Sequence, residues 1–397
     1  MNRDFSNKTV LHIAPTPFFA DRGCHIRIAS IVHELNSRGV RNLICTYHHG
    51  RDVDGIETAR ILKIPGYTKK TAGYSKFKYL ADIYLIVMVI WKVWRIKPDI
   101  IHGHLHEGAL IGFIAKTMVF WRRTPLIFDV QGSLVGELVA YGTISKGSFC
   151  FKVFKIVEQI VYTLPNLLMC SSKNSLKILS SEFTVPKEKL LLIADGTDLS
   201  KFKVERSAAL FAQLKLPSDK KIVVFSGSLL PAKGVEELKD LIADSVEQKL
   251  PVHFLLIGYP VEDIKQWVRE KGLERAVTMT GQLEYERLPD FLALADIAIE
   301  PKITTAGEAS GKLVNYMAAG LTVVGFNSEL NRKFLADSGF LVNREVNRLL
   351  PALEQAIKVN VAELQEKSLK NRTKISNNYS WAATVDKILL QYHRFST

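Results

Sequence analysis

Cysteine is scarce in this sequence, at four in 397 residues. Cys24, Cys45, Cys150 and Cys170 stand far apart, and none belongs to a CxxC pair. That spacing argues against a disulfide framework and a closed structural zinc site, and a reduced, cytoplasmic protein is expected. Cys45 with His48 and His49 supplies half of a metal site at most. No run is apolar for the roughly 20 residues that a bilayer span requires. The N-terminal stretch MNRDFSNKTVLHIAP lacks the apolar region of an export signal, so export by a cleaved peptide is not expected. Low-complexity tracts and internal repeats are missing too. Acid is short relative to base, with 40 Asp and Glu against 53 Lys and Arg, a formal charge of +13. Such a surplus points to an anionic partner, whether nucleotide, acidic membrane surface or nucleic acid.

What is present is ordinary globular material, 47% hydrophobic and 23% charged, in a chain long enough for two domains. Thr9 to Pro15 reads as a buried strand that opens onto the loop TPFFADRGC. A helix from about Ile26 to Arg38 follows, with Ile28, Ile31, Val32 and Leu35 at helical spacing, and then a second strand, NLICTY. A βαβ opening of this kind puts ligands beyond the carboxyl ends of its strands, where Asp21, Arg22, Gly23 and Arg27 fall. The two arginines beside the turn glycine suit an anion. Further strands are expected at Ala59–Ile64, at DIIHGH, at TPLIFDVQG, which ends in Asp129, Gln131 and Gly132, at LPNLLMCSS and at KLLLIADGTD. Period-two alternation would set His102, His104 and His106 on one face, with His104 and His106 nearest the strand end. Lys76 to Trp94 is a helix apolar nearly all round, which reads either as a buried helix or as an interfacial one with Trp91 and Trp94 at headgroup level.

The patterning weakens over Lys203–Ser218 and then restarts as a second α/β half. Neither half carries GxGxxG after its first strand, which disfavours a dinucleotide-dependent dehydrogenase. The second half has GSLLPAKG instead, whose Lys233 and Gly234 open a helix and suit phosphate oxygens. The stretch EPKITTAGEASGKLVNYMAAGLTVVGF, Glu300 to Phe326, runs from a strand through a polar loop with Glu308, Ser310, Gly311 and Lys312 into a helix opening near Leu313, then a strand. Exposed N–H groups and a helix dipole make that loop a place for a diphosphate.

Four segments in this order resemble the retaining glycosyltransferases of family 4. FSGSLLPAKGVEEL is similar to the family's VGRLxxxKGxxxL, LLIADGTDLSKF to its VIPNGVDxxxF, and YMAAGLTVV to its EAMAxGxPVV, while YSWAATVDKILLQY resembles its C-terminal helix. The resemblance covers nearly the whole chain. It implies an α/β GT-B architecture of two Rossmann-like domains facing across a cleft. Residues 1–200 would form the acceptor-side domain, joined by a helix over 381–397, and residues 201–380 the nucleotide-sugar domain. The family's diphosphate-binding Arg and Lys map to Ser228 and Lys233, so one cation is missing, with Arg22, Arg27 or Lys312 as replacements. Its sugar-contacting His maps to Gln131, its ribose-binding Glu to Asn315, and Glu308 falls close to the reacting centre.

The implied activity is metal-independent transfer of a sugar, with retention, from a UDP- or GDP-sugar to a lipid-linked or cell-surface glycan precursor. Glu308, Gln131 and His104 would be catalytic. Arg22, Gly23, Ser228, Lys233, Gly234, Ser310, Gly311, Lys312, Leu313 and Asn315 would bind the donor. No cofactor, metal or nucleic acid is expected, and Asp52-Val53-Asp54 is not read as a metal-binding DxD. Peripheral membrane contact through 76–94, on the inner membrane face, is the expected location. A nucleotide-sugar epimerase and a non-catalytic partner of a glycan assembly complex remain as alternatives.

Overall fold

The computed structural model describes residues 5–69, 75–140, 142–202, 205–302, 311–336, 338–343 and 348–396. They divide into two units, one within Met1–Asp195 and Trp381–Thr397, the other within Gly196–Thr305 and Ser310–Ser380. The first unit runs β1 (Thr9–Ala14), α1 (Gly23–Ser37), β2 (Arg41–Thr46), β3 (Thr58–Arg60), α2 (Phe77–Ile96), β4 (Ile100–His104) and α3 (Leu105–Met118). It continues with β5 (Leu126–Val130), α4 (Leu134–Ala140), α5 (Phe149–Thr163), β6 (Leu167–Cys170), α6 (Lys173–Ser181) and β7 (Leu190–Leu192). The second unit begins with α7 (Ala208–Gln213), β8 (Lys221–Ser226), α8 (Val235–Glu247), β9 (Val252–Ile257), α9 (Glu262–Glu270), β10 (Val277–Gly281) and α10 (Leu288–Leu292). Then come β11 (Ile297–Glu300), α11 (Gly311–Ala318), β12 (Thr322–Phe326), α12 (Glu329–Leu335), β13 (Phe340–Val342), α13 (Leu350–Lys358) and α14 (Val361–Asn378). The helix α15 (Trp381–Ser396) belongs to the first unit.

Both sheets are parallel, ordered β3-β2-β1-β4-β5-β6-β7 and β10-β9-β8-β11-β12-β13. Central strands of such sheets are covered on both faces, so they read as continuous apolar runs rather than alternations. That holds for β1, β5, β9 and β12, each buried nearly end to end. In the first unit Val10, Ile31, Leu35 and Ile100 share a cluster with Trp381, Val385, Ile388 and Tyr392 of α15. The second unit's core gathers Val223, Phe225, Leu238, Leu241, Phe254, Ile297 and Val324.

Four sequence expectations need correction. Strand β3 is only Thr58–Arg60, short as edge strands tend to be. Helix α1 starts at Gly23, three residues before Ile26, because the Ile26 N–H already bonds the Arg22 carbonyl at 2.9 Å and closes a first turn there. Helix α2 buries only Ala81, Leu85, Val89 and Val93, and its opposite face is exposed although apolar. His106 is not on the strand face, because Leu105, with φ of 62°, turns the chain out of β4 directly into α3. That abrupt entry requires glycines: a Cβ on Gly103 would lie 2.7 Å from the Ala109 nitrogen, and one on Gly108 would lie 2.7 Å from the Ile13 carbonyl oxygen.

Candidate functional site

At the carboxyl ends of β1, β4 and β5 a group of charged side chains is buried in the first unit. Arg27, from α1, donates through Nε and Nη2 to the Asp129 carboxylate at 2.8–3.0 Å, through Nη1 to Asp195 at 2.7 Å and through Nη2 to the Ile193 carbonyl at 2.9 Å. Arg27 and Asp129 are both buried. Burial opposes ionisation of Asp129, but the Arg27 guanidinium and then His104 outweigh it, and the carboxyl stays well below the usual carboxylate range. Asp195 is pushed up by burial, against the pull of Arg27. With its donors committed in this way, Arg27 cannot replace the missing diphosphate-binding arginine.

His104 is fully buried and lies between two acceptors. Its Nδ1 donates to Asp129 Oδ2 at 3.1 Å, and its Nε2 faces His12 Nδ1 at 3.1 Å. The far nitrogen of His12 lies 3.0 Å from Asn42 Oδ1, and the Asn42 amide nitrogen is spent on Asn36 and the Val40 carbonyl, so His12 donates there. His12 Nδ1 is therefore left as an acceptor facing His104 Nε2. Burial and the neighbouring His104 push His12 down to about 3, which keeps it neutral.

The nitrogens of His12, His102 and His104 lie within 4.8 Å of one another, a group that could hold a metal ion. The His12 and His104 rings are nearly coplanar, at 12°, with centroids 5.4 Å apart, so they meet edge to edge. That is the geometry of an N–H···N hydrogen bond rather than of two ligands converging on zinc. His102 bonds Tyr392 Oη at 2.6 Å. His106, assigned by sequence to the same face, instead meets Tyr162 Oη at 3.0 Å and Glu158 at 3.4 Å.

His104 thus lies beneath the surface and reaches outward only through Asp129. Gln131 is half-buried at the end of β5, and its amide nitrogen donates to Asp129 Oδ2 at 2.9 Å. Because an ionised carboxylate only accepts, this bond fixes the amide orientation and leaves Gln131 Oε1 as an acceptor for a hydroxyl. Arg22 caps α1 without a side-chain bond to the helix, and its Nη1 reaches Thr16 Oγ1 at 3.3 Å. Gly23 is exposed, with nothing within 4 Å of a Cβ placed there.

In the second unit β8 and β11 are hydrogen-bonded neighbours, and the predicted donor-binding residues follow their carboxyl ends. Ser226, at the end of β8, donates its backbone N–H to Tyr316 Oη at 2.7 Å. Gly227 has φ of 137°, and a Cβ there would lie 3.3 Å from Lys312 Cδ. Ser228 is half-buried in the loop, Lys233 closes a short 3₁₀ turn, and Gly234, with φ of 86°, heads α8 without a side-chain cap. A Cβ on Gly234 would come within 2.7 Å of the Pro301 carbonyl carbon. Lys312 donates to the buried Glu300 at 3.1 Å and stands 4.6 Å over the Phe225 ring. Its charge is therefore shared with Glu300, which also ends β11. Helix α11 opens at Gly311, Leu313 is fully buried, and Asn315 Oδ1 accepts from Tyr285 Oη at 3.3 Å and Thr197 Oγ1 at 3.4 Å. Glu308 and Ser310 lie outside the described residues. Sequence reasoning missed His12, in an apolar strand, and also Asp195 and Tyr316, which lie within the segments LLIADGTDLSKF and YMAAGLTVV at positions to which the family resemblance assigned no role.

Residues 22–196 match the family model of a glycosyl transferase 4-like domain, and residues 207–376 that of glycosyl transferases group 1. D-inositol 3-phosphate glycosyltransferase of Mycolicibacterium smegmatis is 25% identical over 309 residues, 75% of this chain and 67% of that protein. An Escherichia coli enzyme named UDP-Gal:alpha-D-GlcNAc-diphosphoundecaprenol alpha-1,3-galactosyltransferase is 22% identical over 87% of each chain. Sucrose-phosphate synthase from Thermosynechococcus elongatus superposes with a TM-score of 0.78 at 19% identity, covering 98% of each chain. Anabaena HepE, solved with UDP and glucose, gives 0.74 at 17% identity over 96% of this chain and 98% of that one. Structural likeness at such identities carries the fold alone.

Proposed function

Because the chain belongs to the GT-B glycosyltransferases, with a family 4-like first half and a group 1 second half, we propose that it moves a sugar from a UDP- or GDP-sugar to a glycan hydroxyl, retaining the anomeric configuration. The acceptor in this reading is a lipid-linked or cell-surface polysaccharide precursor, and the protein sits peripherally on the inner membrane face. No described helix is long and apolar enough to cross a membrane. The observation that carries the reading is in the second unit, where neighbouring strands β8 and β11 deliver the Gly227 loop, the Lys233–Gly234 turn and Lys312 at their carboxyl ends. Ligands of parallel α/β sheets bind at such ends.

In this reading Lys233 and the uncapped start of α8 take the negative charge that grows on the departing diphosphate, the largest electrostatic demand of the reaction. Lys312, moderated by Glu300, adds to that field. Gly311 and the Leu313 backbone border the diphosphate loop, Asn315 bonds the ribose, and Ser310 and Glu308 keep the roles that the family resemblance gives them. In the first unit Gln131 Oε1 holds a sugar hydroxyl, with Asp129 and His104 fixing its direction, while Arg22 and the N–H groups at Gly23 offer an anion contact. These charges and dipoles suffice without a metal ion.

The test is thermal stabilisation by UDP-, GDP-, ADP- and CMP-linked sugars, on wild type and Glu308→Ala. One nucleotide class should stabilise by about 2.7 kcal/mol at a hundredfold excess over Kd. Donor turnover should follow, insensitive to EDTA, with the α or β form of the donor retained in the product by NMR, and should be lost in Glu308→Ala. Interconversion of the free nucleotide sugar without any acceptor would identify an epimerase. Stabilisation without turnover, or none at all, would favour a non-catalytic partner.

A further inference from the structure

Three helices in one layer of the first unit leave apolar side chains in solvent. Helix α3 packs against both α2 and α5 and so joins them. On α2, Ile83, Val87, Trp91 and Trp94 are exposed, Trp94 by 59%. On α5, Phe149, Ile156 and Ile160 recur at helical spacing, with Phe149 80% exposed. The turn after α3 adds Phe120 and Trp121, 73% and 61% exposed. Single apolar residues on a surface are ordinary, but rows of them on adjoining elements mark a contact surface.

The charges around these rows are one-sided. Asp82 accepts from Tyr47 Oη at 2.6 Å, Glu107 is ion-paired with Lys78, and the buried Glu158 takes the N–H groups of Leu134 and Val135. No acidic side chain of α2, α3 or α5 is therefore exposed. Lys76, Arg95, Lys97, Arg122, Arg123 and Lys152 are all exposed. Arg95 and Lys92 also lie over the Trp91 ring at 5.2 and 5.1 Å. Aromatic and aliphatic rows edged by cations are the composition of an interfacial surface on anionic lipid. Pairing this face with a second copy would bring like charges together, which disfavours self-association.

We infer that α2, α5 and the Phe120–Trp121 turn form one docking face for an anionic bilayer. This deepens the membrane contact of the proposed reading, widening it from one helix to three elements, and the flotation that tests it needs neither donor nor acceptor.

Purified protein is floated through a density gradient with vesicles of phosphatidylcholine alone or mixed with phosphatidylglycerol. It rises with the mixture, less so in high salt, and either Trp91→Glu/Trp94→Glu or Ile156→Glu/Ile160→Glu lowers the bound fraction at least about tenfold. Both variants keep wild-type unfolding midpoints and donor stabilisation, and Phe120→Glu/Trp121→Glu, on a turn, replaces any variant that does not fold. Wild type that stays down with both vesicles, or an α5 variant that floats like wild type, overturns the inference. So does a wild-type dimer that these substitutions make monomeric while no vesicle is bound. Flotation retained with no donor stabilisation would count against the transferase reading alone.

Discussion

Arg27 is the only arginine or lysine bonded directly to Asp129 among the described residues, and it also pairs with Asp195. Arg27→Met leaves the buried Asp129 and the half-buried Asp195 without their guanidinium, and breaking a buried pair in this way costs about 3–5 kcal/mol. The sign of its pH dependence follows from Asp129. In wild type the folded-state carboxyl lies below its ordinary range, so its contribution is present at neutral pH and is lost as pH falls through that lowered value. Without Arg27, burial dominates and raises the carboxyl, so the variant regains stability on acidification by taking up a proton. Urea unfolding of both proteins from neutral to acid pH should show the gap narrowing, and a gap that stays constant would mean that Arg27 acts by packing alone. Arg27 was visible in the sequence as an arginine beside a glycine turn. Nothing in the sequence distinguished an anion-binding arginine from one neutralised by Asp129, 102 residues away.

The turn between β8 and α8 tests whether glycine there is a backbone requirement. Gly234→Ala places a Cβ 2.7 Å from the Pro301 carbonyl carbon at a φ of 86°. Strain of this kind costs about 1–3 kcal/mol, and the β8 and β11 loops must part to relieve it. Lower stability together with weaker donor stabilisation is the expected outcome. Gly23→Ala, with open space and no positive φ, should stay within about 0.5 kcal/mol of wild type in stability. At this scale the sequence was most readable where burial is two-sided, since runs such as VHFLLI admit one reading between their turn residues. It was least readable for helices with a second apolar face. Helix α2 left two readings open, buried or interfacial, because its outer rows are as apolar as its inner ones, and α5 passed unnoticed although Lys152, Lys155 and Gln159 recur at helical spacing within FCFKVFKIVEQIVYT. In the loop after β8 the glycines were legible from punctuation alone, whereas the pairing of Lys312 with Glu300 depends on two elements separated by a loop.

The chain builds two parallel-sheet units, and the first is not continuous in sequence. Trp381, Val385, Ile388 and Tyr392 of α15 enter its core beside Val10, Ile31 and Leu35, and Tyr392 also meets His102 at the edge of the histidine group. Each such side chain stabilises by roughly 1.5–3 kcal/mol when buried, while a whole domain is stable by about 5–15 kcal/mol. A chain ending at Ser380 should therefore lose the first unit, with limited proteolysis leaving a resistant fragment from the second. A resistant fragment covering both would show that α15 is dispensable.

Synthesis runs in one direction, and that gives the position of α15 a temporal meaning. Everything in the second unit is made before Trp381, so most of that unit can form before α15 exists. The first unit, begun hundreds of codons sooner, waits with the Val10–Ile31–Leu35 surface uncovered until α15 emerges. For that interval the exposed surface is a natural holding point for a chaperone, and a slow codon just before residue 381 would lengthen it without changing a single amino acid.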